Sequence, residues 1–312
     1  MGHFPQATWK KVLQQIVLVA IGLVILMTDP LSPQDTAAAV TKGKRDRISD
    51  ALEVLKRVPA GKVLLERALE HWEMASYSEL LTLFSWGSAS KTDAVLTRHF
   101  NPKTGKEQRE RRITIFLRND QSLQDLVLDI AHELTHATAK PDWDPYDPYL
   151  TPASYVWNAI EGGGGEVDAL VAECQVGMEL ASRYGVSAER CKRYRGASED
   201  SLHPVIERQK VIRDFYRVGN WHEDLTRALG SDLTLFPMLS DDKPELYSST
   251  GHAPYPVALL QEYEDITRIA CTNSKKRLDS LPERNLASGD PLRKSIHLFL
   301  ERRCRKQQVA AR

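Results

Sequence analysis

The chain has 312 residues, of which 42% are apolar and 27% charged, enough to bury one sizeable core or two small ones. Its 42 basic and 42 acidic side chains cancel, so composition supplies no general pull toward nucleic acid or an anionic membrane surface, and no nucleic-acid partner is expected.

At the amino-terminal end, Trp9-Lys10-Lys11 precedes an uncharged run from Val12 to Met27. The apolar core of that run has the length of an export-signal h-region and falls short of the ~20 residues that span a bilayer comfortably. Residues 1–40 therefore read as a signal peptide, with cleavage after Ala37 or Ala39, or as an uncleaved anchor that tethers the protein through residues 12–27. Either reading exports residues 41–312, to the periplasm or the cell exterior. The four cysteines, Cys174, Cys191, Cys271 and Cys304, allow three disulfide pairings there, and their wide spacing lacks the C-x-x-C of a cysteine zinc site.

Beyond residue 47, apolar residues recur with helical spacing at Ile48, Leu52, Leu55 and Val58 and again at Val63, Leu64 and Ala68, which predicts two helices broken at Pro59-Ala60-Gly61. Residues 87–100 force no assignment. Ile113 to Leu117 is a β-branched and aromatic run between turn-forming segments and predicts an edge-like strand. Ser122 begins a capping-box-like helix with an apolar stripe at Leu126, Val127, Ile130 and Leu134, ending near Lys140-Pro141. The proline-rich stretch from Asp142 to Pro152 cannot sustain regular structure and predicts a loop. A helix follows from about Glu166 to Arg183, launched from the glycines 162–165 and stopped by Gly185. Further helical patterns cover roughly Pro204–Val218, Pro256–Thr272 and Pro291–Gln307. The expected fold class is mainly α with a small β-sheet (α+β).

Chemistry concentrates in His132-Glu133-Leu134-Thr135-His136, an H-E-x-x-H inside a predicted helix. Residues four apart share a helical face, so both imidazoles reach one cation, and neutral imidazole suits Zn2+. Glu133, beside the pair, is placed to act as general base on an attacking water. Catalytic zinc takes three protein ligands and keeps one position open. Glu166, in the first turn of the helix that follows the glycines, is the candidate third ligand, with Glu161 and Glu173 as fallbacks; the glycines would let backbone pass close to the metal helix. An oxyanion also needs a donor. His252 or Tyr255, in the segment Tyr247 to Pro256, are the candidates for that catalytic role, ahead of Tyr216 and His222. Asp129 and Asp168 are candidates to orient the imidazoles through their second N–H, and Ile113–Leu117 to be the rim against which an extended peptide pairs.

The segments "AHELTHA" (131–137) and "GEVDALVAE" (165–173) resemble the gluzincin metallopeptidases, and especially uncharacterised metallopeptidase families with HELTHA followed by E-x-D-A. The resemblance implies a zincin-like fold, one catalytic Zn2+ held by His132, His136 and Glu166, Glu133 as general base, and a peptide or protein substrate. It departs from the thermolysin-like pattern at Leu170, where that group has an aspartate four residues after its glutamate ligand. Two other readings stay open: a catalytically silent scaffold that retains the fold, and a zinc amidase acting on cell-wall peptides.

Overall fold

The structure is a computed structural model that describes residues 33–101, 107–140, 143–197, 204–249, 251–281 and 291–304. The apolar segment 12–27 lies outside them. By contacts the chain divides into residues 1–43 and 44–312; the described part of the first is the helical start of α1. Among the described residues no helix is long and apolar enough to cross a membrane.

In chain order the elements are α1 (Pro33–Lys56), α2 (Pro59–His71), α3 (Tyr77–Leu80), β1 (Phe84–Gly87), β2 (Lys91–Phe100), β3 (Glu107–Arg118), α4 (Leu123–Thr138), α5 (Pro152–Glu161), α6 (Glu166–Tyr184), α7 (Glu189–Lys192), α8 (Arg208–Phe215), α9 (His222–Leu229), α10 (Tyr255–Asp279) and α11 (Pro291–Arg303). The described residues are mainly helical with one mixed sheet, strand order β1-β3-β2.

Helix α4 starts where its sequence says it should: Ser122 Oγ accepts from the Asp125 backbone N–H, and the Asp125 carboxylate accepts from the Ser122 hydroxyl at 2.7 Å. That exchange satisfies an orphan amide of the first turn. Helix α5 carries its own capping box between Thr151 and Ser154, with Pro152 in the first turn, where its missing N–H costs nothing. Helix α6 ends at Gly185, left-handed at φ 67°.

Strand β3 corrects the sequence expectation. It is the central strand, parallel to β1 and antiparallel to β2, so Ile115 and Leu117 are fully buried because both neighbours and α4 cover them. The edges belong to β1 and β2, and Val95 and Leu96 of β2 are exposed, a half-solvated pattern that hides that strand from periodicity. The expected helix over Pro204–Val218 is shorter, because Ile206 is drawn into a bridge with Arg195 before α8 begins.

Two apolar clusters flank the middle of the molecule. One joins α1, α2, the sheet, α4 and the Val176/Leu180 side of α6; the other joins α5, α8, α9, α10 and the Val167/Cys174/Met178 side of α6. Helix α6 thus buries two faces at once and anchors α4 beside it. Disulfides join Cys174 to Cys191, tying α6 to α7, and Cys271 to Cys304, tying α10 to the end of α11.

Candidate metal centre

Helix α4 presents His132 and His136 one turn apart, and α6 brings Glu166 to them from its first turn. The Nε2 atoms of the histidines are 3.1 Å apart, while Glu166 Oε2 is 3.4 Å from His132 Nε2 and Oε1 is 3.7 Å from His136 Nε2. Close approach of the two helices depends on glycine. Gly164 adopts φ 71°, and a Cβ there would stand 2.0 Å from the Ala139 side chain and 3.2 Å from the Thr135 carbonyl, so a side chain is excluded by both conformation and space.

Each imidazole is fixed from behind. His136 Nδ1 lies 2.8 Å from the Gly164 carbonyl, which only accepts, so that nitrogen carries the proton and Nε2 is left facing the cleft. The Gly164 N–H in turn donates to Asp168 Oδ2 at 2.9 Å, and Asp168 is held by Arg208. His132 Nδ1 lies 3.0 Å from Glu173 Oε2. Arg190 donates to Glu173 Oε1 at 2.8 Å and reaches Asp129 Oδ1 at 3.7 Å, and Ser90 donates to Asp129 Oδ2. Both aspartates named from the sequence therefore act at one remove. The direct partner of His132 is Glu173, expected only as a fallback ligand, and Glu161 is elsewhere, accepting from Tyr216 at 2.7 Å.

The cluster places two carboxylates against His132. Burial opposes charging of His132, but Glu166 and Glu173 together outweigh it and pull its pKa well above the histidine range. Burial likewise raises Glu166, yet both histidines and the Tyr255 hydroxyl turn the balance and hold its carboxyl low. Glu166 Oε2 is nevertheless buried without a hydrogen-bond partner, an expensive omission for a carboxylate oxygen. Two imidazole Nε2 atoms turned toward each other beside one unpartnered carboxylate oxygen form an arrangement that a metal ion in place of a proton would satisfy. Nitrogens bound at 2.0–2.1 Å to one tetrahedral zinc stand about 3.3 Å apart, close to the 3.1 Å seen here. His132, His136 and Glu166 thus fit as three ligands. A second group, Glu173 with Cys174 and Cys191, does not fit, because its sulfurs are spent in the disulfide.

Glu133 also faces the cleft from α4 and is buried, with its carboxylate accepting from Thr92 Oγ1 at 2.8 Å. Burial raises its pKa against the pull of His132, His136 and Thr92, which suits a proton acceptor. Tyr255, at the start of α10, donates to Glu166; burial and then the charges of Glu166 and Glu133 push its pKa well up, so it stays a donor.

These groups open onto a cleft of about 640 Å³. Comparison with protein-family models, curated proteins and solved structures gives no match. What the residues do is therefore argued from geometry. Of the residues predicted from sequence, His132, Glu133, His136, Glu166 and Tyr255 all line this cleft. His252 does not: it is exposed on the turn around Gly251, outside the lining, because Ser248 and Ala253 pair backbone to backbone and loop it away. Tyr216 is fully buried against Phe236, and His222 lies at the start of α9, outside the cleft lining. The rim strand is β2, contributing Thr92 and Ala94, instead of Ile113–Leu117. Thr92 and Arg190 carry no signal in the sequence. Glu173 did carry one: seven residues after Glu166, it falls on the same face of α6.

Proposed function

We propose that this chain is a zinc-dependent metallopeptidase of zincin type, working outside the cytoplasm. The observation that carries the reading is the orphaned carboxylate oxygen of Glu166 beside two opposed Nε2 atoms, in the same cleft as the carboxylate of Glu133. His132, His136 and Glu166 would hold the zinc ion, which would supply Lewis acidity toward a water nucleophile and a carbonyl. Glu133 takes the proton from the attacking water and delivers it to the departing amine. Thr92 holds the Glu133 carboxylate in place by the 2.8 Å bond. Tyr255, one hydrogen bond from Glu166, is the donor available to the tetrahedral oxyanion. The free edge of β2 offers backbone groups to an extended peptide. The two disulfides support an oxidising location, in line with the export signal of residues 1–40.

The test is Glu133→Gln. It should keep about one equivalent of zinc, measured by elemental analysis, and lose hydrolysis of a diverse peptide library; Glu166→Ala should lose the metal. Hydrolysis that survives Glu133→Gln refutes the assigned base. A Glu166→Ala protein still holding one equivalent of zinc refutes the third ligand.

A further inference from the structure

The cleft has two chemically different walls. The strand wall carries its cations, Lys91 and Arg111. Lys91 lies over the Phe116 ring, and Arg111 donates to the Ala139 carbonyl at 3.0 Å. The opposite wall, built from α5, α10 and the loop before α5, is aromatic and acidic: Trp143 and Tyr155 meet edge to face at 4.8 Å, and both line the cleft with Glu262.

Glu262 is the unusual member. Tyr155 donates its hydroxyl to it, and among the described residues no cation pairs with it. The other charges it feels belong to Glu166 and Asp265, both acidic. Asp265, also in the lining, is already matched by Arg268 at 2.7 Å. An ionised carboxylate offers about four acceptor positions, so one neutral phenol leaves most of Glu262 unused, while its side chain keeps access to the cleft. Along α10, Tyr255, Leu259 and Glu262 stand at i, i+4 and i+7 and share a face, all three lining the cleft. That spacing sets Glu262 about 10 Å along the helix axis from the tyrosine that touches the metal cluster, within reach of a long side chain from a peptide bound at the centre.

We propose that the α5–α10 wall is a subsite for a cationic substrate side chain, lysine or arginine, with Glu262 as the charge that selects it and Tyr155 as the residue that positions that charge. The half-buried ring of Trp143 offers its surface to the aliphatic stem of such a chain, while Tyr155, itself buried against Trp143 and Tyr263, acts only by holding the Glu262 carboxylate. A neutral side chain leaves the carboxylate without its counter-charge, and an acidic one adds a third negative charge beside Glu262 and Asp265. This rests on the peptidase reading above.

The experiment uses the full chain loaded with zinc and carrying Glu133→Gln, so that no turnover is needed. Two alanine-based decapeptides are titrated by calorimetry, identical but for one central arginine or citrulline, which share a shape and differ in charge. The arginine peptide should bind about tenfold tighter or more, and adding Glu262→Gln should shrink the ratio to within about twofold. Equal binding of the two peptides overturns the proposal, as does a preference that survives Glu262→Gln. With Glu133 restored, the arginine peptide should also be cleaved with the higher kcat/KM. If the binding preference stands and neither peptide is cut, the peptidase reading fails and the cation subsite remains.

Discussion

Replacing Glu173 with glutamine separates orientation of the metal centre from ligation of it. Glu173 is buried, accepts from His132 Nδ1 at 3.0 Å through Oε2, and receives Arg190 at 2.8 Å through Oε1. Glutamine keeps the shape but has one acceptor oxygen for two donors. Arg190 is nearly half exposed and can turn to water, so the amide oxygen serves His132, and the cost to the fold falls near the low end of the ~1–3 kcal/mol of an unmet buried group. The larger loss is the charge behind the imidazole. Substituting such an outer partner weakens metal affinity about 10–100-fold, or about 1.4–2.7 kcal/mol. On the zinc reading, binding confined to the folded state would stabilise it, and that stabilisation at a fixed saturating concentration should shrink by the same amount. The assay is zinc affinity by competition with a chromophoric chelator, paired with thermal unfolding with and without zinc. Arg190→Ala should weaken zinc less than Glu173→Gln does. A Glu173→Gln protein that binds zinc within about twofold of the parent refutes the relay and makes Glu173 an ordinary buried acid.

Gly164→Ala should cost at least the ~1–2 kcal/mol of a left-handed non-glycine residue, more once the Ala139 contact is relieved, and should weaken zinc by displacing the carbonyl that holds His136; urea unfolding and the chelator assay read both effects. Removing the Cys174–Cys191 bridge as a double serine variant frees a loop spanning 17 positions and should cost about 3 kcal/mol by loop entropy, with unfolding measured in the metal-free protein. Glu262→Gln should stabilise the protein at pH 7. Partial desolvation in the cleft, opposed by the Tyr155 hydrogen bond and joined by the charges of Glu166 and Asp265, holds the Glu262 carboxyl above its ordinary value, so the folded state disfavours the charged form, by a small amount because the side chain stays open to solvent. That penalty is absent below the unfolded pKa of about 4.3 and grows as pH rises through the folded one. The stability gap between variant and parent should therefore close on acidification, and a gap independent of pH would contradict it. A carboxylate kept at a cost to stability is expected where binding needs it.

What was legible in the sequence was local. The H-E-x-x-H spacing, the Ser122 cap, the glycines before Glu166 and the stop at Gly185 each act within a few residues, so helix periodicity and capping chemistry were sufficient to locate α4 and α6 and three candidate ligands within residues 132–166. Strand β2 was not legible, because an edge strand with both faces half solvated alternates weakly, and its Thr92 became meaningful only when the hairpin with β3 carried it to Glu133. The central place of β3 was equally invisible: a five-residue β-branched and aromatic run looks the same at an edge and in the middle.

The sequence by itself determined which side chains could bind a metal and which glutamate sat beside them, since i,i+4 spacing on a helix is a property of the backbone alone. Only the tertiary structure decided what stands behind them. The acids that seemed placed to orient the histidines by proximity in sequence, Asp129 and Asp168, act through Arg190 and Gly164, and Glu173 takes the direct contact because the packing of α4 on α6 turns that face inward. It also decided which oxyanion candidate enters the cleft. Only two residues separate His252 from Tyr255, but one belongs to a turn that backbone pairing lifts into solvent and the other to the first turn of a helix packed against the centre.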